Sequence, residues 1–166
     1  MDGDKKTLYV ESTIPSYATA RESSDRIVAT RQFITRRFWE KERKKYTLYT
    51  SQYTLDECRL GNVDAAKKRL AFLSGITILP QTEAVENLAA VYFRLLKIPE
   101  KARTDCSHLA VCALNRIDYL LSWNFAHLGV KSQMAVYDYN LKNGLWTSLL
   151  LSPDSIYTFD EEEELR

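Results

Sequence analysis

Residues 8–13 read LYVEST, a short apolar strand that ends at the carboxylate of Glu11 and is followed by two hydroxyl residues. Further short apolar runs occur at 46–50, 76–79 and 119–123, and helical patterns separate them. Short apolar strands that alternate with helices predict a parallel sheet covered on both faces. We therefore expect an α/β protein, a three-layer α/β/α fold with a central, mainly parallel sheet of about five strands.

Apolar spacing and capping residues predict the helices. Segment 26–45 has apolar side chains at helical spacing, and Ser23, Ser24 or Asp25 could cap it. Further helices are predicted at 63–73, 82–96, 105–115 and 131–142, with a short one around 55–58. Residues 12–16 are expected to end the first strand.

The charge is unevenly distributed. The 166 residues suit one domain, which we place at 1–159, followed by an acidic segment at 160–166 that is expected to be disordered. The whole chain has 23 bases and 22 acids; without 160–166 it has 22 and 17, a net charge of +5. The net charge of +1 for the whole chain therefore combines a basic domain at 1–159 with an acidic segment at 160–166, and the composition is compatible with a nucleic-acid partner.

Several classes of protein are disfavoured. No apolar run approaches the roughly 20 residues of a membrane span, and no apolar signal core follows the N-terminal residues. The three cysteines, an odd number without CxxC spacing, argue against a disulfide framework or a zinc site. We expect a cytoplasmic protein without a membrane partner.

Acidic and amide side chains follow the ends of the predicted strands. Glu11 follows the first strand, Asn124 follows the strand at 119–123, and Asp105 begins the helix that leads to that strand. Glu57, on the short helix after the second strand, can point to the same edge, where parallel sheets bind ligands. Gathered carboxylates repel one another and favour a hard divalent cation, Mg²⁺ or Mn²⁺. Any one of them alone is more often a solvated helix or strand end.

Spacing separates some neighbouring acids and leaves others open. Asp118 precedes its strand, so we expect it at the opposite edge, on the order of 16 Å away. Asp56 adjoins Glu57; adjacent helical residues point about 100° apart, so at most one of the two faces the site. His108 follows Asp105 by three residues, and a structural histidine is its simpler interpretation.

A second histidine and a basic segment could contact nucleic acid. His127, in a loop, could reach a phosphate. The basic segment predicts a nucleic-acid-binding surface, although a solvated surface with acidic partners explains it equally well. The predicted binding residues are Arg26, Arg36, Arg37, Lys41, Arg43, Lys44 and Lys45.

Four motifs, in order, resemble those of PIN domains. Residues 9–17 (YVESTIPSY) are similar to the opening strand of that family, and 55–61 (LDECRLG) to its second acidic motif. Residues 102–110 (ARTDCSHLA) and 118–128 (DYLLSWNFAHL) resemble the third and fourth motifs, and 152–154 (SPD) resembles the terminal strand and loop. The resemblance covers about 8–156, nearly the whole chain.

The resemblance implies Mg²⁺- or Mn²⁺-dependent hydrolysis of RNA by metal-activated water. It also implies a toxin-like ribonuclease of a toxin–antitoxin pair, with an antitoxin partner and a homodimeric state. By position, Glu11, Glu57 and Asp105 would be the metal-binding catalytic carboxylates, Asn124 would take the fourth acidic position, and Ser12 or Thr13 would support them.

Two departures from the family pattern leave an alternative open. Glu11 replaces the commoner aspartate, and Asn124 replaces a frequent acid with a weaker, neutral ligand. A catalytically weak or inactive domain that binds RNA or a protein partner without cleavage is therefore the alternative. A response-regulator-like phosphoacceptor fits poorly, because the strand at 76–79 ends in Pro80 where that class has an aspartate.

Overall fold

The structure, a computed structural model, describes residues 2–125 and 128–156. Its sheet has five strands in the order β3-β2-β1-β4-β5, and every neighbouring pair is parallel. The strands are β1 (Lys6–Val10), β2 (Tyr46–Ser51), β3 (Thr77–Leu79), β4 (Tyr119–Leu121) and β5 (Leu149–Leu151). The predicted α/β fold with a parallel sheet of about five strands is confirmed.

Helices connect the strands throughout the described ranges. They are α1 (Thr13–Thr19), α2 (Arg26–Lys41), α3 (Gln52–Cys58), α4 (Val63–Phe72), α5 (Glu83–Leu96), α6 (Arg103–Leu114) and α7 (Val130–Lys142). Asp25 caps α2, because its side chain accepts hydrogen bonds from the backbone N–H groups of Ile27 and Val28 at 2.9 and 3.0 Å. None of the helices in these ranges is both long and apolar enough to cross a membrane.

One local expectation is confirmed and another is wrong. The first strand ends at Val10, before residues 12–16, as expected. These residues also begin a helix that the sequence did not predict: α1 starts at Thr13, and Pro15 is its third residue, where a missing N–H breaks no helical hydrogen bond. The helix predicted over 26–45 ends at Lys41, and Arg43–Lys45 form a 3₁₀ turn that leads into β2.

The side chains of β1 alternate between two cores, one on each face of the sheet. Tyr9 belongs to the core that packs against α5, α6 and α7. Leu8 and Val10 belong to the other core, with Ile14 of α1 and Phe38 of α2. All three β1 side chains are fully buried. This alternation is the period of a strand, and it makes β1 the centre of a three-layer structure.

The strand order reverses next to β1, which makes this part of the carboxyl edge the switch point of the sheet. Chain order runs outward from β1 to β2 and β3 on one side, and to β4 and β5 on the other. Val10 pairs with Leu121, so the next residues, Glu11 and Ser122, meet at the carboxyl edge. Open parallel sheets bind ligands at this kind of switch point.

Asp118 lies at the amino edge of the same two strands, as predicted. One of its carboxylate oxygens accepts hydrogen bonds from the backbone N–H and the hydroxyl of Thr7, at 2.9 and 3.1 Å. Asp118 therefore ties the beginnings of β1 and β4 together, away from the carboxylates at the other edge.

Candidate active site

Glu11 is held in one orientation by four hydrogen bonds. The hydroxyl of Ser12 donates to Oε1 at 2.8 Å. Oε2 accepts from the backbone N–H and the hydroxyl of Thr13, at 3.1 and 2.6 Å, and from the hydroxyl of Ser122 at 2.5 Å. Only 2 % of Glu11 is exposed. Since Oε1 accepts a single bond, it keeps capacity for a further ligand.

Glu57, on α3, is held by a chain of buried polar groups. Its Oε1 lies 2.5 Å from Nε2 of His108, and Nδ1 of that ring lies 2.6 Å from the hydroxyl of Tyr9. The Tyr9 hydroxyl also contacts the hydroxyls of Ser51 and Thr54, at 2.6 and 3.1 Å. When Tyr9 donates to Nδ1, the ring proton lies on Nε2 and is donated to Glu57. The buried histidine thus aims the carboxylate of Glu57.

The electrostatics of this chain favour the contact between His108 and Glu57. Burial lowers the pKa of His108, but the hydrogen bond to Glu57 and the charges of Glu57, Glu11 and Asp105 outweigh it, so the pKa is raised above its usual 6.5. Burial raises the pKa of Tyr9 well above 10, so its hydroxyl stays neutral and available as a donor. Glu57 thus favours the protonated imidazole, and in that form both ring nitrogens donate and the Tyr9 hydroxyl accepts from Nδ1.

The structure separates the two adjacent acids of α3. Asp56 is exposed and accepts hydrogen bonds from Arg59 and Gln52, at 3.0 and 2.9 Å. Glu57 turns instead to His108. The choice that spacing alone left open therefore falls on Glu57, the residue assigned to the site from the resemblance.

Among the described residues, a group with metal-binding geometry consists of Glu11, Glu57 and His108. One ligand atom from each lies within 4.8 Å of the others. Two carboxylates suit a hard divalent cation. Both nitrogens of His108 already have partners, so coordination through Nε2 would replace its bond to Glu57. The oxygens of Glu11 and Glu57 are therefore the donors that fit such an ion without rearrangement.

The remaining predicted site residues occupy different positions around this group. Asp105 is buried in the first turn of α6, one turn before His108, and is not a member of the group of three. Asn124 is exposed, and its backbone N–H donates to the Ser122 hydroxyl at 2.9 Å. His127 lies outside the described residues. The hydroxyls of Ser12 and Thr13 both donate hydrogen bonds to Glu11.

Ser122 was not singled out from the sequence, although it touches Glu11. A single serine belongs to no recognisable sequence motif, but a prediction that β1 pairs with β4 would have placed Ser122 next to Glu11. Glu11 and Ser122 each come one residue after a strand end, and those ends pair as Val10 with Leu121. Parallel neighbours in register predict contact between the next two residues.

The predicted nucleic-acid-binding bases are divided between the two edges of the sheet. Arg26 begins α2 and lines a cleft with Trp123, which follows β4. Lys41 ends α2, Arg37 is exposed one turn earlier, and Arg43–Lys45 directly precede β2 at the amino edge. With 16 residues, α2 is about 24 Å long, so its two ends do not form one surface beside the carboxylates.

Some of these bases have structural partners. The guanidinium of Arg36 donates to the backbone carbonyls of Ala18 and Ala20, at 2.9 and 2.7 Å, and so satisfies groups at the end of α1. Lys45 pairs with Glu42 at 2.6 Å. For these two bases, the solvated or structural interpretation describes their contacts better than a nucleic-acid surface does.

No protein-family model matches the sequence, and no curated protein matches it either. Solved structures do match. The chain is similar to VapC20 of Mycobacterium tuberculosis, a sarcin–ricin loop cleaving toxin, with 18% identity, a TM-score of 0.58, and coverage of 74% of this chain and 95% of that one. It is also similar to VapBC2 from Rickettsia felis bound to a DNA fragment from its promoter, with 13% identity, a TM-score of 0.56, and coverage of 88% and 98%.

These likenesses establish the class of fold. The all-parallel sheet with helices on both faces is a PIN-like α/β/α fold, and it extends over nearly the full length of both neighbours. The resemblance drawn from the four motifs is confirmed at this level. The group of Glu11, Glu57 and His108 lies at the carboxyl edge of the sheet, beside its switch point.

Proposed function

We propose that this protein is a Mg²⁺- or Mn²⁺-dependent endoribonuclease. The observation that carries the proposal is the group of Glu11, Glu57 and His108, whose ligand atoms lie within 4.8 Å of one another at the switch point of a PIN-like sheet. Carboxylates brought this close without a cation would repel each other, whereas a hard cation satisfies both.

Each residue has a distinct role in this proposal. Glu11 and Glu57 would hold the cation, and Asp105 would add a third carboxylate from α6. When bound, the cation supplies Lewis-acid activation of water and neutralises charge on the phosphate. His108 aims Glu57 through its bond at 2.5 Å. Asn124, exposed at the same edge, would orient water or substrate.

The biological setting of the proposal is a toxin-like component of a toxin–antitoxin pair. The likeness to VapC20, described as a toxin, and to VapBC2 supports this setting. The corresponding partners are an RNA substrate, an antitoxin protein and a second copy of this chain, and the corresponding compartment is the cytoplasm.

The test is cleavage of RNA with Mg²⁺ or Mn²⁺ by the purified protein. Glu11→Gln and Asp105→Asn should each lower the rate by about 100-fold or more, because loss of even an outer hydrogen-bond partner of a metal site costs 10- to 100-fold. Asp118→Asn is the matched control, an acid at the opposite edge, and should keep the rate. Equal cleavage by all four proteins would show that the activity does not come from this site.

A second candidate function is RNA or protein binding without cleavage. Two observations favour it: Asp105 lies outside the group of three, and the fourth position is an exposed amide, Asn124. Calorimetric titration with Mn²⁺ separates the two functions. Absence of binding at millimolar Mn²⁺ would favour the non-catalytic function, and binding that Glu11→Gln abolishes would favour the nuclease.

A further inference from the structure

A cleft leads away from the candidate site along the carboxyl ends of β4 and β5. Two adjoining hollows, of about 290 and 360 Å³, share Arg31, Trp123 and Asp154 in their walls. The first hollow is also lined by Ser122, whose hydroxyl donates to Glu11 at 2.5 Å. The second is lined by Arg26 at the start of α2. The cleft therefore approaches Glu11 only through Ser122, which separates the carboxylate from the first hollow, and it ends on the first turns of α2.

Trp123 forms a fixed aromatic wall in this cleft. Its indole N–H donates to the hydroxyl of Thr35 at 2.8 Å, and its backbone N–H donates to the hydroxyl of Thr13 at 2.9 Å. The ring of Tyr17 meets it edge-on, with centroids 6.0 Å apart. An aromatic ring held from three sides needs little further ordering to bind a flat ligand.

Arg31 completes a mixed aromatic and cationic surface. Its guanidinium carbon lies 5.3 Å from the centroid of the Trp123 ring, and one of its nitrogens donates to the Tyr17 hydroxyl at 3.4 Å. Arg26 adds a second positive charge to the cleft, against the single carboxylate of Asp154. A guanidinium stacked on an indole can bind a phosphate with its donors while the aromatic surface beside it accepts a base.

We propose that this cleft binds a single-stranded segment of the RNA substrate, with a base against Trp123 and a phosphate on Arg31. The inference rests on the proposed function, since it takes the strand to continue from a scissile phosphate near Glu11. Proteins recognise single-stranded RNA by stacking its bases on aromatic and arginine planes within a positive groove. Asp154 lies in the wall that both hollows share, where its Oδ1 accepts hydrogen bonds from the hydroxyl of Ser152 and from the backbone N–H of Ser155.

The experiment measures binding with metal removed, so that cleavage plays no part in it. A fluorescently labelled single-stranded RNA is titrated with the full chain in EDTA, and anisotropy gives the dissociation constant. Arg31→Gln should weaken binding by about 5-fold or more. The matched control is Arg116→Gln: Arg116 stacks on Trp146 at 5.4 Å, and the Trp146 indole donates to the carbonyl of Ile117, which precedes β4 at the other edge. This control should bind as the wild type does.

Tryptophan emission provides an independent measure of stacking. RNA should quench the emission of the wild type and of Trp146→Phe, and the quenching should be largely lost in Trp123→Phe, which keeps a ring of similar shape in the fold. Equal affinities of Arg31→Gln and Arg116→Gln, or equal quenching in the two tryptophan variants, would overturn the proposal.

The outcomes of the two proposals can be told apart. If metal-dependent cleavage is lost in Asp105→Asn but Arg31→Gln binds RNA as the wild type does, the nuclease proposal is supported and the RNA-binding role of the cleft is refuted. If RNA binding depends on Arg31 and Trp123 but no metal supports cleavage, the RNA-binding role of the cleft is supported and the nuclease proposal is refuted.

Discussion

Removal of one buried hydroxyl, by Tyr9→Phe, should weaken both the fold and the proposed metal site. That hydroxyl lies within 3.1 Å of three partners: the hydroxyls of Ser51 and Thr54, and Nδ1 of His108. Phenylalanine keeps the ring, so the core around β1 stays filled. The substitution therefore isolates the loss of the polar contacts from any change in packing.

The expected magnitude follows from burial. His108 has no exposed surface, so its Nδ1 cannot exchange the lost partner for water. An unsatisfied buried polar group costs about 1–3 kcal/mol of stability. A ring held from one side also aims Glu57 less well, and loss of this kind of outer support lowers metal affinity by about 10- to 100-fold.

The chain offers a matched control in Tyr92→Phe. Tyr92 is fully buried in the same core as Tyr9, and its hydroxyl donates to Asn140 at 2.5 Å, between α5 and α7. Urea denaturation should show a loss of stability in both variants. Calorimetry with Mn²⁺ should show a larger dissociation constant, and so weaker binding, for Tyr9→Phe but not for Tyr92→Phe. Equal Mn²⁺ affinity in the two variants would refute the idea that the chain through His108 positions Glu57.

Three further outcomes are expected. Asp118→Ala should lower the free energy of unfolding by about 1–3 kcal/mol in urea, because Thr7 loses its acceptor, while RNA cleavage stays unchanged. The three cysteine thiols should not react with a disulfide reagent at pH 8 in the folded protein, and all three should react in denaturant. The reason is that burial raises their pKa values, to about 12 in Cys58, to about 11 in Cys106 and well above 9 in Cys112. Burial and the hydrogen bond to Glu86 raise the pKa of Tyr53 to about 12. The contribution of neutral Tyr53 to the free energy of unfolding is therefore present below pH 10 and is lost between pH 10 and 12. Tyr53→Phe should make the free energy of unfolding less dependent on pH in that range, and an unchanged slope would contradict the raised pKa.

The fold could be predicted because its signals are local. β1 to β4 each contain a short apolar or alternating run, and each of these four strands is followed by a helix. The opposite placement of Glu11 and Asp118 also followed from strand direction alone. α1 was missed because Pro15 and its hydroxyl neighbours are typical of a turn, although a proline in the first turn of a helix costs no hydrogen bond.

The candidate site was predictable only in part, because its supports come from distant segments. Glu11 and Glu57 stand out as carboxylates after strands, whereas Ser122 and Tyr9 do not differ in type from many residues in the chain. Their roles depend on the pairing of β1 with β4 and on the approach of α6 to β1. The division of the basic segment depends likewise on where α2 ends.

The candidate site lies at the end of β1, so the strand register that packs the core also fixes the positions of the site's side chains. Residues two apart on a strand point to the same face, so Tyr9 and Glu11 both face the layer that contains α6 and His108. Tyr9 packs with that core through its ring and reaches His108 through its hydroxyl, at 2.6 Å. A one-residue slip of β1 would turn Leu8 and Val10 toward His108 and remove both polar groups at once. The same register that buries the central strand is therefore what sets Glu11 opposite Glu57.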